Sequence, residues 1–130
     1  YFQQGGYAVK SIDEQTGRRT YSTSAVTSYW LSLSWGKKWS PSLFFGYSKN
    51  LGFSDNILAG GNFFGRWQNV DHIIRVSPSL KFSHKQWTLQ AELDYNSVAY
   101  GKVDYADHGK VKDTHNVSNV RGLIATTFFF

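Results

Sequence analysis

Apolar residues in this chain recur at every second position and almost nowhere at the three-and-four spacing of a helix. In Ala25–Trp35 the odd positions read Tyr29, Leu31, Leu33, Trp35, against Ser28, Trp30, Ser32, Ser34. In Ser42–Ser48, Leu43, Phe45 and Tyr47 oppose Ser42, Phe44, Gly46 and Ser48. Over Asp71–Phe82 the even set is Ile74, Val76, Pro78, Leu80, Phe82, against Arg75, Ser77, Ser79, Lys81. The cleanest run is Trp87–Asn96, where Trp87, Leu89, Ala91, Leu93 and Tyr95 oppose Thr88, Gln90, Glu92, Asp94 and Asn96. Val117–Phe130 places Val120, Gly122, Ile124, Thr126, Phe128 and Phe130 on one side. The opening segment to about Ile12 is a weaker strand candidate. Successive side chains of a strand point to opposite faces, so each run has an apolar face and a polar one. The alternation predicts an all-β antiparallel sheet of about six strands.

The composition narrows what such strands can build. Aromatic residues make up 18% of the 130 residues, too many for a disordered tail. With no Cys, a disulfide framework or a Cys-based metal or redox site is excluded. No run approaches the ~18–20 consecutive apolar residues of a spanning helix. Fourteen Lys and Arg against nine Asp and Glu leave +5, unclustered, which is no footprint for nucleic acid. The chain opens Tyr1-Phe2-Gln3-Gln4 without a basic n-region and apolar h-region, and it has no Met. The expectation is a mature or partial chain whose beginning lies upstream.

Alternation alone suits a soluble sandwich, a lipocalin-type barrel or a membrane barrel equally. Two further features select the last. Connections alternate in length: moderate at Asp13–Arg19, short at Lys37–Ser40, long at Asn50–Asn69, short at Ser83–Gln86, long at Gly101–His115. Transmembrane barrels sort long loops to the outside and tight turns to the periplasm. Aromatics also collect at strand ends. Trp35, Trp39, Phe82, Trp87, Phe128 and Phe130 adjoin the short turns or the C-terminus, while Tyr47, Phe53, Tyr95 and Tyr100 adjoin the long loops. Two aromatic girdles are expected, because amphipathic rings favour the boundary between hydrocarbon and water. The C-terminus then lies on the short-turn side.

The last eight residues, Leu123-Ile124-Ala125-Thr126-Thr127-Phe128-Phe129-Phe130, resemble the C-terminal strand signal of bacterial outer-membrane barrels, with Phe128 and Phe130 as assembly signal and Ala125 where Gly is more typical. Thr114-His115-Asn116-Val117-Ser118-Asn119-Val120-Arg121, Asn69-Val70-Asp71-His72 and Arg75-Val76-Ser77-Pro78 resemble the closing strands of porin-like proteins of the Bacteroidota, over roughly the last half of the chain. The resemblance implies a diffusion channel in a Gram-negative outer membrane, and a trimer. The expected fold is an antiparallel up-and-down transmembrane β-barrel. Since the smallest common bacterial barrel has about eight strands, residues 1–130 are expected to be its C-terminal part.

With the apolar faces toward lipid, the opposite faces line a lumen and carry Arg75, Lys81, Glu92, Asp94 and Arg121 among Ser, Thr, Gln and Asn. A charge on the lipid face costs about 2–4 kcal/mol at the midplane, so five charges on one side are informative. Opposed charges in a pore tune ion and solute preference. The competing reading is that they pair across strands and fill the interior. Pro78 cannot donate a ladder hydrogen bond and predicts a bulge or kink. Trp30 and Phe44 are exceptions on the polar face. The glycines and aromatics of Asn50–Asn69 suit either an inward constriction loop or rings capping the barrel mouth or meeting a neighbouring subunit, the latter favoured. Asp104, Asp107, His108, Asp113 and His115 are ligand types for a divalent cation, but their spacing fits no metal motif and the expectation is a solvated loop.

No Gly-x-Ser-x-Gly elbow occurs, and Glu92 with Asp94 are more simply lumen charges than paired catalytic carboxylates. Neither an enzyme nor a bound cofactor or metal is expected. The expected function is a porin-type channel for passive diffusion of small hydrophilic solutes. One alternative is a non-channel barrel serving a larger membrane assembly; a second is a soluble calycin-like binder with apolar faces inward. The expected partners are the lipid bilayer and lipopolysaccharide, the remaining N-terminal strands, and a homotrimer or other outer-membrane proteins.

Overall fold

In a computed structural model, described over residues 5–130, the chain forms seven strands. They are β1 (Gly5–Ile12), β2 (Arg19–Ser34), β3 (Trp39–Phe53), β4 (Phe63–Arg66), β5 (Val70–His84), β6 (Trp87–Asp104) and β7 (Lys110–Phe128). No helix occurs among the described residues. All seven belong to one sheet, in the order β4-β1-β2-β3-β5-β6-β7. The first residues of the weak opening strand candidate lie outside the described residues; Gly5–Ile12 is a strand.

Three differences from the sequence expectation have physical causes. The strands are longer than the alternating runs, because the polar residues flanking each apolar run continue the ladder. The long connection expected at Gly101–His115 therefore shrinks to Tyr105–Gly109. The sheet holds seven strands rather than about six, because the Asn50–Asn69 segment contains β4. Four residues are too short for a periodic signal, and β4 is defined only by its antiparallel pairing with β1, Gly5 to Arg66 through Ala8 to Phe63. This pairing also departs from simple up-and-down order, since β4 leaves its neighbours in sequence for the far edge beside β1. Pro78 stands within β5 and is exposed.

The short connections are built for abrupt reversal. Gly36 (φ 93°) turns β2 into β3, and a Cβ there would lie 2.1 Å from the Trp39 carbonyl oxygen, so only glycine fits. Lys85 (φ 51°) takes the left-handed position of the Lys85-Gln86 turn. The β1–β2 connection closes as an Asx turn: Asp13 Oδ1 accepts from the Gln15 and Thr16 amides, both at 2.9 Å.

The residues divide into two compact units. The first takes the described part of Tyr1–Ser28, with Ser48–Ile73 and Val98–Val117. It has an apolar core of Ala8, Phe53 and Ile57, packed by Phe63, Val103 and Tyr105. The Phe53 and Phe63 rings meet edge to face at 5.9 Å. The segment after β3 is tied down by backbone bonds, Ser54 N to Thr23 O (3.2 Å), Leu58 N to Val9 O (2.9 Å) and Val9 N to Asn62 O (3.2 Å). Lys10 and Asp55 pair at 2.8 Å across the same contact. Gly109 (φ 64°) passes so close that a Cβ would fall 2.7 Å from Phe53 Cδ2 and 2.9 Å from Ile57 Cδ1.

The second unit, Tyr29–Tyr47, Ile74–Ser97 and Ser118–Phe130, is organised the other way round. Its buried residues are Gly46, Ser77, Asp94 and Ser97, none with a large apolar side chain. Many of its large apolar residues stay open: Leu31 is 54% exposed, Phe45 42%, Leu89 50% and Leu93 54%.

Truncation of the first unit's core has a definite consequence. Phe53→Ala should lower the free energy of unfolding by about 3–5 kcal/mol, read by denaturant titration, because the ring is buried among groups that cannot collapse onto its place.

Candidate functional site

The polar faces of β5, β6 and β7 meet around one carboxylate. Asp94 stands on β6, and its side chain is only 6% exposed. Arg75 on β5 reaches it through Nε, 2.7 Å from Oδ1. Arg121 on β7 reaches it through Nη2, 3.2 Å from Oδ2. The Ser77 hydroxyl donates to Oδ1 as well. Arg75 also donates from Nε to Ser77 Oγ at 3.2 Å and faces Glu92 with Nη2 3.6 Å from Oε1. Alternation produces this convergence: Arg75 and Ser77 share one side of β5, Glu92 and Asp94 one side of β6.

The charges of this group balance: Arg75 and Arg121 contribute +2, Glu92 and Asp94 −2. A buried carboxylate is costly unless paired and hydrogen-bonded, and here both conditions are met. The pairing expected of the competing sequence reading is present. Of the five charges assigned to the polar face, four come together; Lys81 is exposed and stands apart.

Phe44 on β3 belongs to the same place. The Arg75 guanidinium lies 5.5 Å above its ring centroid, a cation–π contact. Its position on a polar face was anomalous in sequence; the signal available there was an aromatic aligned with Arg75, unreadable without the β3–β5 neighbour relation. Beside it lies a recess of about 280 Å³ whose lining includes Ser32, Ser42, Phe44, Ser77, Ser79 and Glu92. Ser42 and Ser79 share a hydrogen bond of 2.6 Å across it. Trp30 is 74% exposed.

The aromatics of the short-turn side pair off. Trp39 and Phe82 meet at 4.6 Å, with Lys38 Nζ 5.7 Å over the Phe82 ring. Phe82 and His84 stack at 6.5 Å; Trp87 meets Phe128 at 5.2 Å, and Phe128 meets Phe130 at 6.4 Å. Trp35, Trp39, Trp87, Phe128 and Phe130 are all exposed. The Phe129 amide donates to Gln86 O at 2.9 Å, and the Ser83 amide to Lys38 O at 2.8 Å, so the turns and the C-terminal end are laced together. On the long-loop side Phe53 is a core residue instead of a girdle residue.

At the β6–β7 connection the carboxylates are already occupied. Lys112 Nζ sits 2.8 Å from Asp104 and 2.9 Å from Asp107, and Lys110 Nζ 3.0 Å from Asp107. Hydrogen bonds from Lys112 and then Lys110 hold the Asp107 carboxyl below the usual carboxylate range. His108 contributes backbone, accepting from the Phe53 amide at 2.7 Å. Among the described residues no group of three or more His, Asp or Glu is placed to hold a metal ion.

No family model, curated protein or solved structure matches this chain.

Two outcomes follow from this geometry. Asp94→Ala should cost about 1–3 kcal/mol, because Arg75 and Ser77 lose the carboxylate they donate to, while Arg121, 63% exposed, keeps water as its partner. Adding Arg75→Ala should cost less than the sum, with a coupling of about 1–3 kcal/mol in a double-mutant cycle. For the β6–β7 connection the sign is set by a lowered carboxyl pKa. Its contribution is complete above the unfolded value and is lost as pH falls through the folded one. Amide protection of residues 105–109, corrected for intrinsic exchange, should hold from neutral pH to about pH 4 and fall below it.

Proposed function

We propose that this chain is part of an outer-membrane β-barrel that lets small hydrophilic solutes diffuse across the membrane of a Gram-negative bacterium. The observation that carries the reading is the inverted sorting of the second unit. Ser77, Asp94 and Ser97 are buried, while Leu31, Leu33, Leu43, Phe45, Leu80, Leu89, Leu93 and Ile124 are open. Water on both faces would not maintain so long an apolar display, and hydrocarbon on one face would. Stretches such as Trp39–Tyr47 and Trp87–Tyr95 also suit the ~9–11 residues of a tilted spanning strand. The paired rings at the short turns suit the headgroup level.

The same reading calls for more strands. β4 and β7 are the two edges of the sheet. In hydrocarbon an open edge leaves its amides and carbonyls without partners, so spanning sheets close on themselves. Strands from elsewhere, in the same chain or in neighbouring copies, would complete the barrel, with lipid and lipopolysaccharide around it. The protein performs no chemical step; pore width and the polar lining decide what passes.

One observation favours a second reading, a non-channel barrel serving a larger assembly. The interior charges neutralise one another, as in a filled lumen. The exposure of Leu31, Phe45, Leu89 and Leu93 weighs against a soluble binder with these faces inward.

The full-length protein should require detergent for solubility and should give conductance steps in planar bilayers. A chain that is soluble and monomeric without detergent would remove the membrane reading, and a detergent-requiring chain without steps would favour the non-channel barrel. Arg75→Glu with Arg121→Glu changes the cluster from neutral to −4 and should move the reversal potential in a salt gradient toward cation preference.

A further inference from the structure

We infer that the solutes this site favours are uncharged and rich in hydroxyl groups, of the chemical class of small sugars and polyols, rather than ions. The inference rests on the channel reading above and adds the substrate class to it.

The first ground is electrostatic. A pore that prefers anions or cations presents unpaired charge of the opposite sign. Here Arg75 pairs with Asp94 and Glu92, and Arg121 with Asp94, so the group beside the recess has no net charge to attract an ion, while Lys81, on the same face of β5, stands apart from it. Opposite charges a few ångströms apart produce fields that cancel within a Debye length of about 8 Å, which leaves little long-range steering.

The second ground is the chemistry of the neighbouring recess. Ser32, Ser42, Ser77 and Ser79 line it, together with Leu43, Phe44 and the paired Arg75 and Glu92. A hydroxyl both donates and accepts, so a row of serines meets a sugar hydroxyl in either sense, while it offers an ion only weak dipoles. The Ser42–Ser79 bond of 2.6 Å stands between neighbouring strands, and a passing hydroxyl can replace it at little cost. Phe44, in the same wall, supplies an apolar surface against which the C–H face of a sugar ring can lie. Hydroxyls, an aromatic and a balanced ion pair are complementary to a solute that is polar at its rim, apolar on its face and neutral as a whole.

The test is a swelling assay on liposomes carrying the full-length protein, with solutes of matched size: a neutral hexose, the corresponding sugar acid and the corresponding amino sugar. The hexose should enter faster than either charged analogue, and the reversal potential in a potassium chloride gradient should stay near zero. Ser42→Ala with Ser79→Ala should lower the ratio of hexose entry to ion conductance about two- to ten-fold, the loss of one to two replaceable hydrogen bonds. An open channel that passes either charged analogue faster than the hexose overturns the substrate class and leaves the channel reading intact. Neither swelling nor conductance with any solute overturns the channel reading and the substrate class with it.

Discussion

A carboxylate taken out of water must find opposite charge and hydrogen-bond donors, or the chain will not keep it there. Asp94 meets that requirement with Arg75, Arg121 and Ser77, drawn from three adjacent strands. Because the partners come from β5, β6 and β7, the cluster also specifies which strands lie side by side and in what register. A slip by one residue would turn each of these side chains to the opposite face and strand the carboxylate among leucines. The second unit is thus organised around a polar interior, with its apolar side chains on the outside.

The first unit solves a different problem. Its strands carry fewer apolar residues per face, and its stability comes from a local core in which the segment after β3 folds back on β1. Phe53, Ile57 and Phe63 would be an odd set for a solvated loop; as a core with Ala8, Val103 and Tyr105 they are ordinary. β4 then covers part of the β1 edge, which blunts a row of backbone groups that would otherwise invite pairing with another chain. Lys110 and Lys112, set against Asp104 and Asp107, add surface ion pairs to a connection that backbone hydrogen bonds already close, and such pairs contribute little to stability.

Under the channel reading a balanced charge cluster and a serine-lined recess sort solutes by hydrogen-bonding capacity more than by sign. The same balance is what a filled lumen would need, so lining and filling are separated by the width of the completed barrel. That width is set by the number of strands and their stagger, both properties of the closed assembly.

What the sequence by itself determined is the local ribbon. Strict alternation in Trp87–Asn96 dictates a strand with Glu92 and Asp94 on one side and Leu89 and Leu93 on the other, because the pleat allows no other placement. The short connections read at Lys37–Ser40 and Ser83–Gln86 fall within two residues of the observed turns, and the aromatics beside them mark the strand ends. Tertiary structure alone decided three things. It decided that Arg75 and Arg121 both reach Asp94, that Phe44 lies beneath Arg75, and that Phe63–Arg66 is a strand at all. Each depends on pairing between segments far apart in the chain. Alternation reports which face a side chain takes, and carries no information about which strand stands next to it.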